Sequence, residues 1–526
     1  MNTRSSARCF AAAIFLGAAG AFVLMACDGH IADDRFSELS ARLNCGDAGG
    51  DGGTDADSGP PPACIPSQAS APVDDSCGIF VSASLGDDAN AGNTKSSPVK
   101  TLKQALLLGA QQNLPVYACA EDFVNGSAES LNVSAGSVLF GGLDCTGDWS
   151  YAGGSKKSVV QGAADVVAVI LRTGSGTTRI EDFVLRAPDA TVDGGSSIAV
   201  LSEPILNVAL ARCDLIAGNG KDGAKGITPT ENIGPSDPND AAIKGGNGAK
   251  AAADLGMPNP GGAGAVNALC PTSIGGKGGD GLVASGGDGS DGAPMLAFGA
   301  HGVGEPAMGA WNCIVGGGQL GDNGAPGTEG ASATSAELGT LDLNGFVAAA
   351  GQAGTDGAPG QGGGGAGAAK GKTGVNGASG GGGGAGGCGG KGGGGGQGGG
   401  AGIALVSLGT SFVFNSVSLS AGNGGRGGDA GLGQAGAVGG VGGTGGAADL
   451  SPPATLAGCD GGKGGSGGKG GDGGAGRGGH SLGIAHTGPA PSLDGLTFSL
   501  GTPGQGGTAF MSSGAQGLQA NLLAFP

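Results

Sequence analysis

Three stretches of the chain share one alternation of apolar and polar positions. Residues 197–220 read SIAVLSEPILNVALARCDLIAGNG, and residues 402–424 read GIALVSLGTSFVFNSVSLSAGNG. Each holds a short apolar strand, a bend and a second strand of period two, and each leaves through Ala-Gly-Asn-Gly. Residues 481–504, SLGIAHTGPAPSLDGLTFSLGTPG, form a looser copy. The alternation turns Val208, Leu210, Cys213 and Leu215 inward in the first copy, and Phe412, Phe414, Val417 and Leu419 in the second. In the third it turns Leu493, Leu496, Phe498 and Leu500 inward. Such copies predict stacked units of a repeat, with the intervening sequence thrown out as insertions from one repeat position.

Upstream, residues 77–216 contain only 16 Gly in 140 and can bury a core. Apolar runs predict strands at 79–81, 116–119, 131–133, 138–140, 158–160, 166–171, 178–180, 183–185, 198–201 and 206–216. Residues 86–92 are turn chemistry, and 103–111 read as a short helix that ends before Pro115. Trp149 and Tyr151 read as packing over the turn beside Cys145.

Composition changes the picture beyond Gly218. Gly 127 and Pro 25 together exceed a quarter of the chain. Glycine has no side chain to bury and loses the most backbone entropy on ordering. The tracts 217–401 and 425–480 therefore cannot build a conventional apolar core and read as long loops. The nearly pure tract 380–400 is either unordered or packed as extended polyglycine-like strands, and the sequence does not choose. Residues 354–362, GTDGAPGQG, have collagen-like spacing, but the three-residue period reads as breaking almost at once, which excludes a triple helix. A net charge of −18 argues against nucleic acid and against charge-driven attachment to anionic lipid.

The N-terminus reads as an export signal: Arg4 and Arg8, then an apolar stretch from Phe10 to Met25. It ends Leu24-Met25-Ala26-Cys27, which resembles the lipobox of bacterial lipoproteins, with Met25 a mild departure. That resemblance implies that Cys27 becomes the acylated first residue of the mature chain, a palmitate-type anchor for which membrane lipid is the partner. It implies a cell-envelope location, at the outer membrane or cell surface rather than the inner membrane, although Asp28 resembles an inner-membrane retention signal of some enteric-type systems. The expected division is signal 1–26, acidic and Pro-rich tether 27–76, folded strands 77–216, insertion 217–401, strands 402–424, insertion 425–480 and final strands 481–526. A brief helical patch is expected at 33–43. Ten cysteines remain after Cys9 and Cys27, as suits disulfides in an exported chain. Proximity suggests Cys119 with Cys145, Cys270 with Cys313, and Cys388 with Cys459. Cys213, on an inward position, reads as a buried thiol.

The residues IFVSASLGDDANAGNTKSSPVKTLKQAL, then PVYACAEDF and LNVSAGSVLFGGLDC, resemble the entry coils of pectin-lyase-like right-handed parallel β-helices, with Asn93 and Thr94 slightly displaced from the family pattern. This implies an all-β fold: a right-handed parallel β-helix, or solenoid, with an N-terminal capping helix and long glycine-rich loops. The glycine block resembles in composition the PGRS-type repeats of exported bacterial proteins.

Candidate chemistry is sparse. Residues 275–283, GGKGGDGLV, fit the nonapeptide of calcium-binding rolls, and partial matches end at Asp291, Asp429 and Asp472; Asp280 and Asp291 are the calcium candidates. The repeats are not in tandem, so Ca²⁺ is a weak expectation and no other cofactor is expected. Polysaccharide cleavage would need convergent carboxylates, for which Asp182, Arg212 and Asp214 are weak candidates beside Arg179 and Glu181. Matching positions in the later copies are Ser416 and Ser418, then Gly495 and Thr497, so no acid ladder recurs; Asp182 and Asp214 read as outward, solvated residues. His30, His301, His480 and His486 read as surface or turn residues. The reading is a non-catalytic structural or interaction protein of the envelope with a cell-surface or polysaccharide partner. The alternative is a polysaccharide lyase or hydrolase.

Overall fold

The computed structural model describes residues 60–124, 129–204 and 207–526. The expected signal, Cys27, Cys45, the expected helical patch at 33–43 and most of the expected tether lie outside the described residues. Residues 64–77, assigned by composition to the tether up to 76, are packed instead. Cys64 pairs with Cys77, Ile65 and Val73 are buried, and the Tyr117 hydroxyl donates to the Cys64 carbonyl at 2.6 Å. Two apolar side chains and a disulfide thus dock residues 64–77 onto Phe80, Tyr117 and Trp149.

The described chain is mostly β and extended, built on three sheets of parallel strands. The first sheet takes Ile79–Val81, Val116–Cys119, Val138–Asp144, Thr177–Glu181, Asn207–Ala211 and Ser411–Asn415 in that order, with Ser150–Tyr151 antiparallel to its third strand. The second takes Asp122–Val124, Ser158–Gln161, Phe183–Ala187, Asp214–Ala217, Val417–Ala421 and Leu496–Leu500. The third takes Leu131–Val133, Val169–Leu171, Ser197–Ser202, Gly402–Leu408, Ser481–Thr487 and Gln519–Ala524. Through the middle of the chain each circuit lays one strand in the third, then the first, then the second sheet.

The three sequence copies are neighbours in space. Ser197 pairs with Gly402 and Gly402 with Ser481; Asp214 pairs with Ser418 and Ser418 with Thr497. The strands read off the sequence fall within four residues of those observed, and 206–216 divides into two at Arg212. Inward Val208, Leu210, Cys213, Leu215, Phe412, Phe414, Val417 and Leu419 join one core, with Leu496 and Phe498 packed against it. Leu493 does not, because residues 488–495 form a proline-bearing loop, not a strand, and it is partly exposed. The middle strands of the third sheet, Ser197–Ser202, Gly402–Leu408 and Ser481–Thr487, are buried on both faces, which is why they read as nearly unbroken apolar runs. The outer face of that sheet is covered by the hairpin of Thr340–Asp342 and Gly345–Val347, whose Phe346 packs on Leu201, Ile403 and Leu482. The helix Leu102–Gln112 closes the core beside the first strands. Thr101 caps it by accepting from the Gln104 N–H at 3.2 Å, and Asn113 ends it in the left-handed region.

The glycine tracts are not loose loops. Gly387, Gly390, Gly393 and Gly396 donate backbone hydrogen bonds to Gly465, Gly468, Gly471 and Gly474, each at 2.9 Å. Gly354, Gly357 and Gly360 donate to Gly393, Gly390 and Gly387 at 2.8–2.9 Å, so that pair runs antiparallel. A partner every third residue is the period of a polyproline II-type helix, which has no internal hydrogen bonds and must find them laterally. Residues 316–333, 351–371, 377–401, 422–447 and 458–480 are long members of this bundle, and shorter ones come from 217–227, 243–251, 259–305 and 501–518. Several run directly out of sheet strands, such as 377–401 into Gly402–Leu408.

The reason for glycine is close approach, not unusual φ. None of the glycines in 377–401 has a left-handed φ. A Cβ at Gly392 would collide with the Gly354 carbonyl, one at Gly393 with that of Gly431, and one at Gly394 with the backbone of Ile227. Three successive residues thus face three different segments of the bundle. At the rim one residue per turn is glycine, as in Gly318, Gly321, Gly324, Gly327 and Gly330, whose carbonyl acceptors start at Asp460 and end at Asp472. The three-residue period therefore runs far beyond 354–362, contrary to the sequence reading, and it specifies a bundle without a triple helix.

Cys119 pairs with Cys145 as proximity suggests, and Cys213 is a buried free thiol. The other pairing is corrected. Cys270 bonds Cys388 and Cys313 bonds Cys459, because lateral neighbours in the bundle are far apart in sequence.

Candidate functional site

The weak catalytic candidates meet at one corner of the sheet stack. Between first- and second-sheet strands the chain turns through left-handed residues, Asp182 (φ 61°), Arg212 (φ 53°), Ser416 (φ 55°) and Gly495 (φ 76°) in successive circuits. This places Arg212 against Asp182 at 2.8 and 2.9 Å and against Glu181 at 2.7 Å. Glu181 also takes Arg179 at 2.5 Å, and the Arg179 guanidinium lies 5.4 Å from the Phe140 ring centre. The Tyr151 hydroxyl donates to Asp182 at 3.1 Å. Burial presses on the Arg212 guanidinium, but its bonds to Asp182 and Glu181 outweigh that and hold it charged. Asp182 is buried, not solvated as its sequence position suggested. Asp214 is half-buried and held by Lys157 at 2.6 Å and Ser418 at 2.5 Å.

Two arginines and two carboxylates thus neutralise one another inside the corner, and the disulfide-closed loop lies over them, with Ser67 Oγ 3.5 Å from Glu181. Hydrolytic acid–base work needs one carboxyl free to give a proton and another free to take one. Neither Glu181 nor Asp182 is free. The shallow pocket beside them, about 270 Å³, is lined by Pro66, Ser67, Val73, Leu143, Trp149 and Tyr151, an arrangement without an exposed carboxylate. Beneath, burial pushes the Cys213 thiol up to about 12, so it is not a thiolate nucleophile.

The calcium candidates all bond laterally within the glycine bundle. Asp280 accepts the Gly261 N–H at 2.7 Å and pairs with Lys277 at 2.7 Å. Asp472 accepts the Gly433 N–H at 2.8 Å and pairs with Lys469 at 2.6 Å. Asp429 accepts the Thr508 N–H and pairs with Arg426, at 2.7 and 2.6 Å. Asp291 accepts the His301 N–H at 2.8 Å and meets its ring Nδ1 at 2.6 Å. Each carboxylate reaches sideways to a backbone donor of the next segment, and in three cases a cation one turn earlier neutralises it. Burial raises the Asp280 and Asp472 carboxyls, but the lysine and the N–H outweigh it and hold both below the usual range. Among the described residues no group of three or more His, Cys, Asp or Glu is arranged to hold a metal ion. The sequence G-G-x-G-G-D is here a lateral stitch.

Sequence reasoning missed a third feature. The turn at 370–376 ties together the other turns at the far end of the bundle. Lys370 donates to the Ala307 carbonyl at 3.0 Å, Lys372 to that of Ser451 at 2.5 Å, Asn376 to that of Met257 at 2.7 Å and Gly371 to that of Leu282 at 2.8 Å. On these turns Leu255 and Met308 are each 88% exposed, Leu450 81% and Met257 74%. Segment 377–401 separates this tip from the third sheet by about 75 Å at the polyproline II rise. The only trace in the sequence is a large apolar residue at each turn between glycine runs. Comparison of the chain with protein-family models, curated proteins and solved structures gives no match.

Proposed function

We propose that this chain is an exported, lipid-anchored and non-catalytic protein of the cell envelope, built to hold a binding tip away from its anchor. In this reading the parallel sheets are coils of a right-handed β-helix and the glycine bundle is a stiff extension from one side of it. The observation that carries the reading is the gathering of exposed Leu255, Met257, Met308 and Leu450 at the bundle's far end, where a soluble surface would hold polar turns. The mutually neutralised Arg179, Glu181, Asp182 and Arg212 support the non-catalytic half.

Two measurements test it. Metabolic palmitate labelling is expected to mark the native chain and not Cys27→Ala. The purified chain is expected to bind isolated cell envelopes or a glycan array, and the combined Met257→Asp, Met308→Asp and Leu450→Asp variant to bind at least tenfold more weakly. Cleavage of any arrayed glycan, abolished by Asp182→Asn, would instead establish the hydrolase or lyase.

A further inference from the structure

Backbone hydrogen bonds stitch the glycine segments together at every third residue, except along one stretch. Between segments 316–333 and 351–371 the chain leaves the bundle as a strap, residues 334–349, whose hairpin lies on the outer face of the third sheet. Among the described residues, no backbone–backbone hydrogen bond joins 335–348 to the rest of the chain, and the two hairpin strands pair only with each other. Phe346 and Ala348 enter the apolar cluster on that face, with Leu338 and Leu341 half-buried beside them.

Among the described residues, three side chains make the strap's polar attachments. Ser196 donates to the Phe346 carbonyl at 3.2 Å. Arg477 Nη1 donates to the Thr334 and Ser335 carbonyls at 2.9 and 3.0 Å and reaches that of Glu337 at 3.4 Å. His480 bonds the Leu338 carbonyl through Nε2 at 2.9 Å, and its ring packs on Phe346. Arg477 and His480 are three residues apart, one turn of a polyproline II-type helix, so both face the strap.

Both clasps are costly to keep closed. Arg477 is 1% exposed, and its Nε has no partner among the described residues. Glu337 acts on it only from beyond ion-pair distance. A buried cation in that state is strongly unfavourable. The Leu518 N–H can only donate, and it meets His480 Nδ1 at 2.8 Å, so Nε2 carries the ring proton. A second proton, on Nδ1, would remove the acceptor of Leu518 and set another cation beside Arg477. The charged groups around the ring are Arg477 on its own segment and Glu337 on the strap. Segments 396–408 and 514–524, which also pack there, have no ionisable side chain.

We propose that residues 334–349 are an acid-released strap, which lifts off the third sheet as a unit while the sheets stay folded. Lifting gives Arg477 and His480 to water and uncovers Leu201, Ile403 and Leu482. The closed strap holds His480 neutral down to about 4, whereas an open one lets it bind a proton near 6.5. Opening therefore gains as pH falls from about 6.5 to about 4, and between pH 7 and pH 4.5 its equilibrium rises about fifty-fold.

The test is amide exchange of the full chain, read by mass spectrometry and corrected for the intrinsic rate at each pH. Opening of 338–348 is expected to rise about fifty-fold between pH 7 and pH 4.5, with 402–408 and 481–487 still protected. His480→Gln keeps an acceptor for Leu518 and a donor for Leu338 but does not titrate, and is expected to hold the rise below about threefold. Strap protection that does not change with pH overturns the proposal, as does a rise that survives His480→Gln. Loss of protection in 402–408 together with 338–348 also overturns it, since the sheets would then be unfolding with the strap.

Discussion

A glycine in this chain is worth what its missing Cβ leaves room for. Gly393 faces the Gly431 carbonyl, whereas Gly154 has no heavy atom within 4 Å of the place its Cβ would take. Gly393→Ala should therefore destabilise the chain by about 2–3 kcal/mol or more, as overpacking does, and Gly154→Ala by no more than about 0.5 kcal/mol. Thermal unfolding of the two variants checks this. Asp472 makes a complementary case. Removing its carboxylate strands the Gly433 N–H, so Asp472→Ala should cost about 1–3 kcal/mol, and added Ca²⁺ should shift the melting temperature of neither form. The positions that matter were legible as G-x-x spacing at 318–330 and 351–363, but that spacing reads as low complexity until the lateral partners are known. The carboxylates were legible as a motif but their backbone partners were not, because a calcium roll and a glycine stitch both place an Asp after glycines.

At the scale of elements, period two was sufficient for the strands. Residues 197–202 and 402–408 declare by their apolar runs that both faces are covered, and their pairing follows from likeness alone. The hairpin that covers them did not declare itself, since Leu341 and Phe346 stand within a glycine-rich stretch that resembles loop. Disulfide partners were legible only where the cysteines flank one circuit, as Cys119 and Cys145 do. Cys270 and Cys388 are 118 residues apart, and Cys313 and Cys459 are 146 apart; their adjacency exists only once the segments lie side by side. Closing loops of that length is worth about 5 kcal/mol each in the chain-entropy model, in a region with little apolar core of its own. Mild reduction should therefore open the bundle before the sheet stack. Limited proteolysis in dithiothreitol is expected to cut within 230–380 first and to leave the strands of 77–202 intact; simultaneous loss of both would show that the bundle does not depend on its bridges.

For the whole molecule, bundle and sheets meet at His480, the residue immediately before the strand Ser481–Thr487. Its ring nitrogens meet the Leu338 carbonyl at 2.9 Å and the Leu518 N–H at 2.8 Å, and the ring packs on Phe346 and Phe525. Burial pushes it down to about 4, so it is neutral in the folded chain where an unfolded histidine, near 6.5, would bind a proton. The unfolded state then takes up more protons, and stability falls as pH falls from about 6.5 to about 4. Asp429, held down to about 2 first by Arg426, adds a loss in the same direction at still lower pH. Denaturant midpoints between pH 7.5 and pH 4.5 should show this decline, and His480→Gln should flatten the upper part of it.

The same bundle, held by backbone hydrogen bonds around glycine, has a thermal consequence. Unfolding an ordinary domain exposes apolar surface and raises the heat capacity by about 12–15 cal/mol/K per residue, while exposing peptide groups lowers it. A bundle whose buried surface is nearly all peptide should unfold with an increment far below that range. Its stability curve should then be shallow, with little of the weakening on cooling that hydrophobic cores show. Scanning calorimetry of the intact chain should find a specific heat-capacity change well under the ordinary value, and the glycine bundle should keep its protection from amide exchange near 0 °C.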